Sequence, residues 1–182
     1  MWRLLLLLLV VCAADVVRAE EGPPEPPDYR MDNYRQPVPR SLQGARVVDT
    51  GEAEALWKAG AVFVDVMPQV PRPANLPAGT IWRDPPHRNI PGSIWLADTG
   101  YGAIAPVTAK YLEDGLARAT GGDRTKTIVV YCQRDCWMSW NAAKRILTLG
   151  YANVVWFPDG TDGWQEADLP LRLDKPVPPQ AN

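Results

Sequence analysis

Apolar residues along this chain come in short runs with amphipathic stretches between them. Arg46-Val47-Val48 reads as a short strand, and Glu52 to Lys58 has helical spacing that ends at Gly60. Ala61 to Val66 (AVFVDV) is an unbroken run of apolar and β-branched residues, as expected of a buried strand. Ile94 to Ala97 repeats that signal in shorter form. Thr108 to Ala119 has helical spacing, opened by Thr108 and closed by Gly121. Thr127 to Tyr131 (TIVVY) is again a buried strand. A helix from about Met138 follows, with Ala142, Ala143, Ile146, Leu147 and Leu149 on one side and a stop at Gly150. Asn153 to Phe157 is the last strand. Short strands alternating with helices predict an α/β fold with a mostly parallel sheet and right-handed crossovers. Active groups in such sheets stand at the carboxyl ends of strands, where Asp65 and Cys132 fall.

The ends of the chain follow different rules. Arg3 and the apolar run Leu4 to Val11, followed by Val17-Arg18-Ala19, predict a cleavable export signal over residues 1–19 and a mature start at Glu20. The apolar run is short and early for a membrane span, so none is expected after cleavage. A lipid-attachment role for Cys12 is disfavoured, because Val11 is larger than the small residue such sites carry. Residues 20–44 are rich in proline and charge and hold little to build a core. Within them Gly22 to Asp28 is expected to be extended and mobile, while Tyr29 to Tyr34 offers aromatic anchors to a domain surface. The domain proper is expected over residues 45–171, and residues 172–182 form a tail. Pro68 to Pro86 is long for a connection in a compact domain and suggests a lid or docking surface.

Composition removes several classes. Removal of the leader leaves about 160 residues, enough for one domain with a sizeable core. With 19 basic and 21 acidic residues the net charge is −2, which gives no footprint for nucleic acid or for an anionic membrane. A single histidine, His87, rules out a multi-histidine metal cluster. No cofactor or metal is expected.

The cysteines carry the chemistry. There are 3, and Cys12 lies in the leader, so Cys132 and Cys136 face an oxidising compartment as a pair. Cys132 stands where a strand turns into a helix. Backbone N–H groups point inward there, which predicts a depressed pKa and a stabilised thiolate or persulfide. Cys136 would then resolve, in thiol–disulfide exchange or persulfide release, provided the loop curls enough to bring the Cα atoms within about 7 Å. A static disulfide bracing the loop is the structural alternative. A metal site with His87 as third ligand would favour Cu(I) or Zn, but the spacing matches no standard motif.

Neighbouring residues admit two readings each. Asp65 can orient a basic group or the loop backbone, or it can cap a turn. His87 can donate a proton to a leaving thiol, or lie idle on the surface. Trp82, Trp137, Trp140 and Trp164 can form an aromatic wall for a ligand or partner, or fill the core.

Five signatures in order resemble a single rhodanese-like domain over roughly Ala45 to Leu171. They are Val64-Asp65-Val66, His87 to Ser93, Tyr131-Cys132, Gly150 to Val154 and Gly160 to Trp164. The resemblance implies a five-stranded parallel sheet flanked by helices, with Cys132 carrying a persulfide as in the family's sulfurtransferases. The loop Cys132-Gln133-Arg134-Asp135-Cys136-Trp137-Met138 and the stretch Tyr29 to Arg35 are similar to a narrower group. Its members are named for a cysteine pair followed by tryptophan and are associated with pyrroloquinoline quinone (PQQ)-dependent catabolism. That likeness implies a periplasmic setting and, as a partner, a dehydrogenase or cytochrome of a PQQ-dependent alcohol oxidation system. Departures bear on activity. Arg134-Asp135 replaces the mid-loop glycine of common sulfurtransferases, and Met67 replaces a frequent arginine. Met138 stands where phosphatases of this fold keep an arginine, so a phosphate clamp is absent. Two expectations follow: an exported thiol enzyme working through Cys132 and Cys136, or a silent accessory module on the same scaffold.

Overall fold

The computed structural model describes residues 22–179. The expected leader, residues 1–19, lies outside them, as do residues 20, 21 and the last three. Within them the elements run β1 (Arg46–Val47), α1 (Thr50–Lys58), β2 (Val62–Asp65), β3 (His87–Asn89), β4 (Ile94–Trp95), α2 (Pro106–Thr120), β5 (Ile128–Tyr131), α3 (Trp137–Thr148), β6 (Val154–Phe157), α4 (Gly160–Glu166) and β7 (Arg172–Asp174).

Five strands form one parallel sheet in the order β1-β6-β5-β2-β4. Asp65 is level with Tyr131 on one side and Trp95 on the other, and Tyr131 with Phe157, so the strand ends share one rim. Cys132 follows directly. On one face α2 and α3 pack over Val64, Leu96, Ile128 and Val130; on the other α1 and α4 cover Phe63, Val129, Val155 and Phe157. Two core layers around a central sheet are the outcome that strand–helix alternation requires.

Local signals explain the boundaries. Asp49 and Glu52 close a reciprocal capping box at the start of α1. The second helix opens two residues before the expected Thr108, because Pro106 takes its first turn, where a missing N–H costs nothing. Gly121 ends it with φ 67°, as expected.

Two features depart from the sequence reading. The tail is not free, since β7 pairs antiparallel with β3, joining Asn89 to Arg172 and His87 to Asp174. Nor is Gly22 to Asp28 loose. It is extended, but Lys144 Nζ donates to the Pro27 and Pro26 carbonyls at 2.6 and 3.2 Å, and the Glu25 carboxylate accepts the Gln43 N–H at 2.9 Å and the Ser41 hydroxyl.

One face of α3 holds this N-terminal strap. Trp137 Nε1 donates to the Pro37 carbonyl at 3.1 Å and Trp140 Nε1 to that of Ser41 at 3.2 Å. Asn141 accepts the Arg30 N–H and donates to the Arg30 carbonyl, both at 2.9 Å. Positions 137, 140, 141 and 144 lie along one helical stripe, so a single face satisfies an extended chain that has no ladder of its own.

Candidate active site

The segment between Cys132 and Cys136 is bent into a tight arc by partners on both sides. Thr161 N–H donates to the Cys132 carbonyl at 3.0 Å, and Gln133 pairs with Gly160 across an isolated bridge. At Gly160 a Cβ would stand 2.3 Å from the Cys132 oxygen, so only glycine allows this approach. Arg134 is clamped to α4, with its guanidinium on both Glu166 oxygens at 2.6 Å and on Asp159 at 3.2 Å. Asp135 adopts the left-handed conformation, φ 54°, which gives the sharp turn a glycine would otherwise supply. From the other side Arg35 pairs with Cys136, Trp137 N–H donates to the Tyr34 carbonyl at 2.9 Å, and Arg35 Nη1 donates to the Arg134 carbonyl at 2.6 Å.

This curvature brings the two sulfurs together. Cys132 Sγ and Cys136 Sγ lie 2.6 Å apart, both as free thiols and both buried. A disulfide needs about 2.05 Å, so a small side-chain movement closes the bond.

The two thiols sit in different surroundings. The Cys132 thiol is pushed up by burial, by its hydrogen bond with Cys136, and by the charges of Cys136 and Asp65. Cys136 is lowered to about 7, first by the hydrogen bond from Cys132, then by the Met138 N–H, the Arg35 charge and the Gln133 N–H. The reason is position. Cys136 is the N-cap of α3 and receives the helix's inward N–H groups, whereas Cys132 is sunk between sheet and helix.

Asp65 meets a basic group and also caps the turn that follows β2. Fully buried, it accepts from His87 Nε2 at 2.6 Å on one oxygen and from the Met67 N–H at 2.8 Å on the other. Burial raises its pKa, and His87 and Met67 partly oppose the rise. The His87 ring packs on Trp95 with centroids 4.1 Å apart. It is therefore not an idle surface group. Among the described residues no three His, Cys, Asp or Glu side chains gather as a metal site.

The tryptophans form no common wall. Trp137 and Trp140 pack under the strap, and Trp164 lies across the sheet against Trp57 at 5.6 Å. Trp82 is half-buried in the irregular Pro68 to Pro86 segment, bonded to Asp84. Trp137, Trp140 and Trp164 are core filler.

Two residues that were given no role in the chemistry from sequence, Met67 and Arg35, complete the site. Met67 Sδ lies 3.4 Å from Cys132 Sγ, and Trp95 Nε1 donates to the Met67 carbonyl at 2.7 Å. Arg35 reaches the loop from far upstream. Met67's place two residues past a strand-end aspartate was the available signal; for Arg35 it was the charge inside the aromatic stretch. An open cleft of about 1100 Å³ borders Arg134 and Asp135 and is lined also by Pro37, Val38, Arg40 and Asp159.

A rhodanese-like domain model matches residues 49–167. Among curated proteins, none matches the sequence. Solved structures resemble it at low identity. The 30 kDa polysulfide-sulfur transferase homodimer from Wolinella succinogenes is 20% identical, with 71% of this chain and 79% of that chain covered and a TM-score of 0.45. A full-length protein from Lactobacillus plantarum is 20% identical over 70% of this chain and 88% of its own, with a TM-score of 0.43. A persulfide form of EanB with ergothioneine is 19% identical with a TM-score of 0.48, covering 72% of this chain but 32% of that one. The chain belongs to the rhodanese-like domain family.

Proposed function

We propose that this rhodanese-like protein is a thiol–disulfide exchange protein in which Cys136 attacks and Cys132 resolves. One observation carries the reading: the two sulfurs lie 2.6 Å apart in a loop held from both sides. In the reduced form the Cys136 thiolate attacks a partner disulfide. A mixed disulfide forms and one partner thiolate leaves. With Cys136 no longer an anion, one cause of the high Cys132 pKa disappears. Cys132 then yields its proton to solvent and attacks Cys136 Sγ, closing the Cys132–Cys136 disulfide and releasing the second partner thiolate. Two electrons pass to the partner; the reverse sequence oxidises a partner dithiol.

A second reading, sulfur transfer, is favoured by the place of Cys132 one residue past β5. A persulfide on Cys132 attacked by the Cys136 thiolate would give the same disulfide and hydrosulfide. An accessory role without turnover is the remaining alternative. The leader-like N-terminus supports export to the bacterial periplasm. The likeness of the cysteine loop to the PQQ-associated group supports a dehydrogenase or cytochrome of that system as partner, with the cleft beside Arg134 and Asp135 as its contact.

The mass of the purified mature protein, with and without reductant, tests these readings. A reversible loss of two hydrogens supports exchange, and Cys132→Ser should then trap a mixed disulfide on Cys136. A gain of one sulfur selects transfer. A dithiol inert to oxidant leaves the accessory role, in which Cys132→Ser would still support growth on alcohol.

A further inference from the structure

Three sulfur atoms meet at the carboxyl end of the sheet. Cys132 Sγ lies 2.6 Å from Cys136 Sγ and 3.4 Å from Met67 Sδ. We propose that Cys132, Cys136 and Met67 form a binding site for one Cu(I) ion, held by two thiolates and one thioether. The inference goes beyond thiol–disulfide exchange and does not depend on it.

Donor chemistry selects the ion. Thiolate and thioether are soft donors and favour Cu(I), whereas zinc in structural sites takes four ligands in a tetrahedron. Among the described residues no third His, Cys, Asp or Glu, His87 included, joins the pair. A low-coordinate ion fits what is present.

Met67 is built in. Its N–H is bonded to Asp65 at 2.8 Å and its carbonyl to the Trp95 indole at 2.7 Å. A methionine that only fills space adapts through its rotamers; here both backbone groups are anchored and the thioether meets Cys132. Met67 is half-buried while both cysteines are buried.

The charge balances. Two thiols lose their protons to water, two Cu–thiolate bonds and one Cu–thioether bond form, and copper stays in the +1 state, so the complex carries one net negative charge. The N-terminus of α3 and the Arg35 guanidinium lie beside it. The sulfurs separate as the ion enters between them.

The test is an anaerobic titration of the reduced, reductant-free protein with Cu(I) against bicinchoninate. One Cu(I) per chain is expected, with no stoichiometric binding by Cys132→Ser or Cys136→Ser. Met67→Leu should bind more weakly by at least the roughly tenfold that loss of an outer-shell partner costs. X-ray absorption of the loaded wild-type protein should show three sulfur neighbours. Two sulfurs only, unchanged affinity in Met67→Leu, or preference for Zn(II) in a parallel competition would overturn the site. If Met67→Leu melts as an unfolded chain, the absorption spectrum decides alone. A protein that exchanges disulfides but binds no copper ends this inference and leaves the proposed function standing. Copper binding without exchange does the reverse.

Discussion

Arg35 lies antiparallel to Cys136, their backbones joined across an isolated bridge while the Arg35 guanidinium donates to the Arg134 carbonyl at 2.6 Å. A residue upstream of the matched domain thus closes the reactive loop and sets its charge. The strap is part of the site, and the thiols owe their burial partly to it.

The order of thiol reactivity follows from the two environments. Alkylation of the reduced protein near neutral pH should label Cys136 before Cys132. Its rate should be half-maximal near pH 7, where the Cys136 thiol is lowered to about 7. Below that midpoint the thiolate fraction should fall about tenfold per pH unit. Faster labelling of Cys132 would return the attacking role to it.

Arg35→Gln tests the charge beside Cys136. Loss of a neighbouring cation disfavours the thiolate, so the alkylation midpoint should move upward while Arg35→Lys largely restores it. A midpoint unmoved in Arg35→Gln would mean that solvent screens the guanidinium.

Asn141→Ala should release the strap. Asn141 is fully buried and bonds the Arg30 N–H and carbonyl as well as the Gly100 carbonyl. Their loss should cost about 2 kcal/mol in urea denaturation. Limited proteolysis should then cut within residues 29–41 faster than in the wild type; an unchanged digestion pattern would show that the other contacts suffice.

Asp65→Asn should change how stability varies with pH. Burial raises the Asp65 pKa, so the folded chain holds this proton more tightly than the unfolded one. That contribution is fully present below the ordinary carboxylate range and is lost as pH rises through the raised value. The wild type should therefore lose stability relative to Asp65→Asn as pH rises above the ordinary carboxylate range. Parallel urea midpoints over that rise would show that Asp65 does not titrate there.

The sequence by itself determined the parallel α/β sheet, the helix over residues 137–148 and the place of Cys132 at a strand end. Those follow from local hydrophobic period, and β5, buried along its whole length, announces itself in four consecutive letters. The short α4 escaped notice because glycine and aspartate open it, and β3 and β7 because each holds 3 residues and they pair across the chain. Only the tertiary structure decided the surroundings of each thiol. They depend on depth, on the N-terminus of α3, and on a cation about a hundred residues upstream, none of which leaves a periodic mark. The same holds for Met67, whose thioether meets Cys132 only because parallel pairing sets Asp65 level with Tyr131. Local pattern fixes elements; the contacts that set chemistry are made between elements, at separations over which sequence carries no period.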